Sequence, residues 1–74
     1  PLTHTLKDGI FYSYLYECPY ANSDITQNRL LNSRLNMGDD KATVLSTKGG
    51  WSQVRTADGK TGWMASSHLI AIDN

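Results

Sequence analysis

The sequence predicts a small all-β protein, a five-stranded barrel with a long first loop and a short 3-10 turn before the last strand. Its 74 residues are enough for one domain. Short runs of β-favouring residues are separated by Gly, Pro, Asn and Asp turn signals. The segment Gly49–Ile70 contains a strong hairpin signal, Asp58-Gly59, between two strands that each carry a tryptophan. We expect residues 1–8 to form an extended N-terminal arm and residues 9–74 to form the barrel.

Two strands around a long polar loop are predicted in the first half of the chain. The run Ile10–Tyr16 favours a half-buried strand, and Pro19 ends its pairing because proline lacks a backbone donor. Alternation predicts two faces, one with Tyr12, Tyr14 and Tyr16 and the other with Phe11 and Leu15. The polar segment Tyr20–Asn28 is predicted to be a loop, and an irregular strand would follow near residues 30–35. One helical turn over Ile25–Leu31 is the alternative.

The second half of the chain predicts short strands joined by tight turns. The first turn signal is Met37–Asp40 and the second is Lys48–Gly50. The other expected elements are the strands Lys41–Thr47, Trp51–Thr56 and Thr61–Ala65, a helical turn at Ser66–His68, and a closing segment at Leu69–Ile72. These elements would complete the barrel.

The register of the hairpin decides which of its residues face the core. A three-residue loop, rather than a two-residue one, places Val54 opposite Gly62. We predict the three-residue loop, because it gathers Val54 and Met64 on one core face. Trp51 and Trp63 then lie diagonally on the opposite face, within aromatic reach of one another. The pair would either cover the end of the barrel or form the wall of a binding surface.

The charge balance argues against several classes of partner. Seven Lys and Arg residues balance seven Asp and Glu residues, so the formal net charge is zero. Nucleic-acid binders depend on a basic excess that neutralises phosphates, so we expect no nucleic acid and keep a nucleic-acid-binding barrel as a further alternative. No apolar run approaches the roughly 18 residues of a membrane span, so we expect no membrane insertion. Since the chain begins at Pro1 rather than Met, we expect an excised or internal piece of a longer protein.

The sequence offers little support for catalytic or metal chemistry. A single cysteine, Cys18, excludes an internal disulfide, and two histidines with one cysteine give no metal-ligand spacing. We therefore predict no enzyme activity, no metal and no cofactor. A small thiol enzyme that pairs Cys18 with His4 or His68 is an alternative, and it would require loss of activity in Cys18→Ala.

A motif in the C-terminal part of the chain resembles bacterial Src-homology-3-like domains, usually called SH3b domains. The matching residues are Val44-Leu45, Gly49-Gly50-Trp51, Val54, Asp58-Gly59, Gly62-Trp63-Met64 and Ser66-Ser67-His68-Leu69. The first half departs from the family pattern, because only Leu15 and Pro19 match the usual first strand. Tyr16 stands where the family has arginine, and the loop that follows is longer than usual.

The resemblance implies an SH3-like barrel with a binding role. Such domains often occur in exported bacterial proteins, beside cell-wall hydrolases or in envelope proteins, where they contact peptidoglycan, peptides or a neighbouring domain. The implied localisation is the cell envelope or the outside of the cell. Eukaryotic relatives hold proline-rich peptides in an aromatic groove, but Gly50, Ala65 and His68 replace three residues of that groove here. We therefore expect no binding to P-x-x-P peptides.

The candidate binding surface combines aromatic and polar side chains near the motif. Its residues are Tyr16, Tyr20, Trp51, Trp63, Arg55 and His68. Aromatic faces suit stacking on sugars or peptides, so the expected partner is peptidoglycan or a cell-wall peptide, or else another protein or domain. The main alternative is a cytoplasmic or phage protein-interaction adaptor that uses the tyrosine-rich strand as an edge for strand addition.

Overall fold

The computed structural model describes residues 2–19, 28–38 and 40–72, and they form seven strands in one antiparallel sheet. The strands are β1 (His4–Leu6), β2 (Tyr12–Tyr16), β3 (Leu30–Asn36), β4 (Lys41–Lys48), β5 (Trp51–Thr56), β6 (Thr61–Ala65) and β7 (Leu69–Ala71). Their order across the sheet is β3-β2-β6-β5-β4-β1-β7, and a 3-10 turn at Ser66–His68 precedes β7. The all-β class and the 3-10 turn before the last strand are confirmed.

The described strands number seven rather than five, and β1 lies within the segment expected to be an arm. His4 in β1 is opposite Ala42 in β4 on one side and Ala71 in β7 on the other. Leu6 is only 4% exposed and belongs to the core cluster. Backbone pairing with β4 and with β7 holds this short strand in place, in addition to the burial of Leu6. The strand therefore needs no alternating apolar pattern in its sequence. Residues 4–6 of the extended N-terminal segment are therefore paired on both sides within the sheet.

The centre of the core joins β2, β5 and β6. Leu15, Val54 and Met64 are its largest fully buried side chains, one from each of these strands. Burying an aliphatic or methionine side chain of this size stabilises the fold by about 1.5–3 kcal/mol. Val44 in β4 is only partly buried and packs against the same cluster. The expected core face of the hairpin is thus confirmed.

The turn between β5 and β6 has the predicted three-residue form. The Thr56 N–H donates to the Lys60 carbonyl at 2.8 Å, and Gly59 has a φ of 91°. Val54 is opposite Gly62, as the three-residue loop requires. Since the side chains of a strand alternate between its faces, this register sends the residues on either side of Val54 to the outer surface of the sheet.

Two hydrogen bonds connect the 3-10 turn to the beginning of β5. The Ser66 N–H donates to the Gly50 carbonyl at 2.9 Å. The hydroxyls of Ser52 and Ser66 are 2.6 Å apart, and either of them can donate. Ser52 is buried, so this contact satisfies a hydroxyl that would otherwise be costly to remove from water.

Strand β2 lies inside the sheet, between β3 and β6. The tyrosine-rich strand is therefore not an edge, and the expectation that it offers one for strand addition is wrong. Leu15 lies on the opposite face from the tyrosines, as expected, and is buried in the core, whereas Phe11 precedes the strand and is 69% exposed.

The irregular strand expected after the long loop is confirmed as β3. The alternative helical turn over Ile25–Leu31 is wrong in its described part, because residues 28 and 29 are not helical and Leu30 and Leu31 belong to β3. Residues 20–27 of the loop lie outside the described residues.

Candidate binding surface

Aromatic side chains meet on the outer face of the sheet, where β2, β6 and β5 lie side by side. Tyr16 in β2 is directly opposite Trp63 in β6, and Trp63 is opposite Gln53 in β5. Residues paired across antiparallel strands project to the same side of the sheet. Tyr16 and Trp63 therefore share the face that points away from Leu15 and Met64, and both are half-buried.

Trp51 lies on the same outer face but is only 7% exposed. The ring of Tyr16 meets the ring of Trp51 edge to face, with centroids 5.7 Å apart and an interplanar angle of 89°. Ala65 is opposite Trp51 in the β5–β6 ladder. We call Tyr16, Trp51 and Trp63 the aromatic face; Trp51 forms its floor, and the other two remain accessible.

The two tryptophans are diagonal in the β5–β6 ladder, as the predicted register requires. Within the described residues, however, the aromatic partner of Trp51 is Tyr16 rather than Trp63. Tyr16 comes from β2, so the cluster depends on a third strand as well as on the hairpin. The sequence placed the tryptophans correctly but did not reveal which ring covers Trp51.

The remaining candidate residues are distributed differently. Arg55 is exposed on the outer face of β5, opposite Thr61. The Nδ1 atom of His68 is 2.9 Å from the Ser13 hydroxyl, and Ser13 faces the core side of β2. The structure therefore does not bring the imidazole into the aromatic face. Tyr20 lies outside the described residues.

Cys18 helps to close the base of the long loop. Its N–H donates to the Oδ1 atom of Asn28 at 2.8 Å, and the side-chain amide of Asn28 donates back to the Cys18 carbonyl. The Nδ1 atom of His4 is 2.8 Å from the Thr3 hydroxyl, and His68 contacts Ser13. Neither histidine is paired with the thiol of Cys18 in the described part of the chain. Residues 2–19, 28–38 and 40–72 also contain no group of three His, Cys, Asp or Glu side chains that could hold a metal ion.

The carboxyl of Asp58, in the β5–β6 turn, has a lowered pKa. The Thr56 hydroxyl donates to the carboxylate of Asp58, and this hydrogen bond is the main reason why the pKa of Asp58 lies below its ordinary value of 3.8. The nearby charge of Lys60 lowers the pKa further. This pairing stabilises the turn on which the register of Trp63 depends.

Sequence reasoning missed a second cluster on the outer face, centred on Arg34. Its guanidinium carbon lies 5.2 Å from the ring centroid of Tyr12 and 5.9 Å from that of Tyr14. Alternation placed both tyrosines on one face, but the partner residue depends on the β2–β3 register. The sequence does not indicate that register, because β2 and β3 are joined by a long loop rather than by a tight turn that fixes which residues pair.

No helix among the described residues combines the length and hydrophobicity that crossing a membrane requires. Comparisons with curated proteins and with solved structures give no significant match. The family model for the bacterial SH3 domain matches residues 33–70, which is just over half of the chain. The match includes Trp51, Arg55, Trp63 and His68, whereas Tyr16 precedes it. Together with the all-β sheet and its 3-10 turn, this match shows that the chain belongs to the bacterial SH3 domain family, whose members are binding modules.

Proposed function

We propose that this domain targets or anchors a protein of the bacterial cell envelope by binding peptidoglycan or a cell-wall peptide. The observation that supports the proposal is the direct pairing of Tyr16 with Trp63 on the outer face, above the buried ring of Trp51. Partly exposed aromatic groups clustered on a small domain are typical of a surface that meets a partner. The ligand would lie across β2 and β6 and contact both accessible rings.

The buried floor makes this surface suited to binding. Trp51 is held beneath Tyr16 by an edge-to-face contact, so the tyrosine ring is oriented before any ligand arrives. A pre-oriented surface loses less conformational entropy on binding than a mobile one. Within this proposal Trp51 supports the surface, and Tyr16 and Trp63 contact the ligand.

Polar groups would complete the recognition of a cell-wall peptide. Arg55 is exposed on the same face and can donate to a carboxylate of a stem peptide. The proposed surface also includes Tyr20, because it follows Tyr16 closely in the sequence. The bond of His68 to Ser13 favours a role in holding the 3-10 turn against β2. In this proposal the domain itself carries out no catalysis.

Chemical-shift mapping tests this function directly. The ¹⁵N-labelled domain is titrated with a purified disaccharide–tetrapeptide muropeptide, with the free tetrapeptide, and with a P-x-x-P peptide as the comparison ligand. We expect saturable shifts at Tyr16, Trp63, Arg55 and the Trp51 indole with the muropeptide, and none with the P-x-x-P peptide. Shifts confined to β1, β4 and β7, or tight binding of the P-x-x-P peptide, would contradict the proposal.

A further inference from the structure

A second surface with a distinct chemistry lies beside β3. The guanidinium of Arg34 rests against the rings of Tyr12 and Tyr14, which themselves meet edge to face with centroids 5.5 Å apart. Contacts with two rings hold the planar guanidinium in place and leave N–H donors along its edge. No carboxylate in the described residues forms an ion pair with Arg34, since the ion pair found there joins Arg29 to Glu17. Among the described residues, Arg34 is therefore a positioned cation without an anionic partner.

An open groove with apolar walls lies next to this cation. It encloses about 490 Å³, and its lining residues are Tyr14, Leu30, Leu31, Ser33 and Arg34. Leu30 is 49% exposed, so the groove offers apolar surface that nothing in the described chain covers. A ligand that fits both features carries an anionic group beside an apolar one.

The backbone of β3 indicates the form of that ligand. Among the described strands β3 pairs only with β2. The Met37 N–H donates to the Phe11 carbonyl at 2.8 Å, so Leu35, two residues earlier, also directs its backbone toward β2. Arg34 and Asn36 alternate with these residues and direct their backbone groups toward the outer edge.

The edge of β3 that faces away from β2 is blocked beside Asn36 and open beside Arg34. The Asn36 N–H donates to the Oδ2 atom of Asp40 at 2.7 Å, and the Asn36 side-chain amide is 3.2 Å from the same oxygen. The Asp40 carboxylate therefore takes the position that an added strand would need beside Asn36. No described residue takes the corresponding position beside Arg34, so its N–H and carbonyl can pair with another strand.

We propose that an extended peptide with a carboxylate and an apolar side chain two residues apart adds as a strand to the edge of β3. Side chains two residues apart in a strand point to the same face. The peptide main chain pairs with the backbone of Arg34, the carboxylate is bound by the Arg34 guanidinium, and the apolar side chain enters the groove beside Leu30 and Leu31. Strand addition supplies main-chain affinity, and the two side-chain sites supply specificity. This surface adjoins the aromatic face, because Leu30 is opposite Tyr16. The two surfaces share no residue, so either proposal can fail without the other.

The first test compares two peptides that differ only in charge. The ¹⁵N-labelled domain is titrated with acetyl-Thr-Glu-Thr-Val-Thr-amide, in which the carboxylate and the valine lie on one face of the strand, and with its glutamine counterpart, acetyl-Thr-Gln-Thr-Val-Thr-amide. We expect the glutamate peptide to shift the resonances of Tyr14, Leu30, Leu31 and Arg34 and to bind about tenfold more tightly. Equal affinities, shifts confined to the aromatic face, or no saturation at millimolar peptide would overturn the proposal.

The second test removes the cation. Arg34→Gln is expected to weaken binding of the glutamate peptide about tenfold, whereas Lys7→Gln, which removes one exposed charge elsewhere, should change it less than twofold. Unchanged affinity in Arg34→Gln, or an equal loss in Lys7→Gln, contradicts a specific site. If Arg34→Gln fails to fold, the comparison of the two peptides on the unsubstituted domain still decides the question. Binding of a muropeptide to the aromatic face should be the same in Arg34→Gln, which separates this test from that of the proposed function.

Discussion

At the scale of single residues, Gly62 shows how the absence of a side chain sets the packing of the barrel. A Cβ atom at this position would lie 2.7 Å from the Cβ of Leu15 and 2.9 Å from the Cδ1 of Leu31. A positive φ angle accounts for the glycine at five other positions, namely Gly9, Gly38, Gly49, Gly50 and Gly59. Gly62 does not have a positive φ angle. Gly62 is required for space, because it lets β2 approach β6 beside the core.

We therefore expect Gly62→Ala to lower the free energy of unfolding by about 1–3 kcal/mol, because the added methyl overpacks the contact with Leu15. Thr61→Ala is the control, since it changes the exposed neighbouring residue of the same strand and should have an effect within about 0.5 kcal/mol. Urea unfolding followed by tryptophan fluorescence measures both values. Equal stability of the two variants would show that the contact relaxes without cost.

A pH dependence follows from Asp58, because hydrogen bonding to Thr56 lowers its pKa in the folded hairpin. A carboxyl whose pKa is lowered by folding stabilises the protein above its ordinary value of 3.8 and loses that contribution as the pH falls below it. The melting temperature of the unsubstituted domain should therefore exceed that of Asp58→Asn at about pH 6, and the difference should shrink toward about pH 2.5. A difference that is the same at both pH values would contradict this role, and in Thr56→Val the pH dependence should be weaker.

At the scale of elements, two local turns hold β4, β5 and β6 in register. The β4–β5 turn consists of Gly49 and Gly50, with φ angles of 54° and 84°, and it joins the paired residues Lys48 and Trp51. Positive φ at both central positions is what a two-residue hairpin turn of the I′ type needs, because it matches the twist of the strands. This turn fixes the position of Trp51 at the start of β5.

Two substitutions at Gly49 separate backbone geometry from side-chain size. Asparagine tolerates the left-handed conformation, so we expect Gly49→Asn to change the free energy of unfolding by less than about 0.5 kcal/mol. A β-branched residue does not tolerate it, so Gly49→Val should lower the free energy of unfolding by about 1–2 kcal/mol. Chemical denaturation compares the two variants, and identical losses would indicate that the turn does not need the left-handed conformation.

The elements that could be predicted from sequence are those whose constraints are local. Asp58-Gly59 lies between its two strands, so the loop length and the burial of Val54 together determine the register. The pairing of Tyr14 with Arg34 spans the long loop, and its register shifts between Tyr14 and Tyr16. When two paired strands are far apart in sequence, no turn motif between them indicates which residues pair. For this reason neither the arginine cluster nor the open edge of β3 could be predicted.

At the scale of the whole molecule, the N-terminal segment connects parts of the sheet that are distant in sequence. β1 lies between β4 and β7, and its Leu6 reaches the core. We expect Leu6→Ala to lower the free energy of unfolding by about 2–4 kcal/mol, because it leaves a cavity among buried side chains. Leu2→Ala, in the same segment but 40% exposed, should cost less than about 1 kcal/mol. Similar small losses in both variants would contradict a contribution of Leu6 to the core.

The candidate site was predicted in part for the same physical reasons. The hairpin register placed Trp51 and Trp63 on the face opposite Val54 and Met64, and alternation in β2 placed Tyr16 on one face with Tyr12 and Tyr14. The sequence did not indicate how deeply each aromatic side chain is buried. Trp51 is buried and its ring meets that of Tyr16 from β2, so this contact requires β2 as well as the hairpin to be in place.

The central claim is that the accessible rings of the aromatic face bind a cell-wall ligand while the buried ring supports them. The most direct measurement is the muropeptide affinity of Trp63→Ala beside that of Ile70→Ala, which truncates a side chain that is 50% exposed on β7. We expect Trp63→Ala to bind at least tenfold more weakly while remaining folded, and Ile70→Ala to bind within twofold of the unsubstituted domain. Equal muropeptide affinity of the two folded variants would contradict the claim.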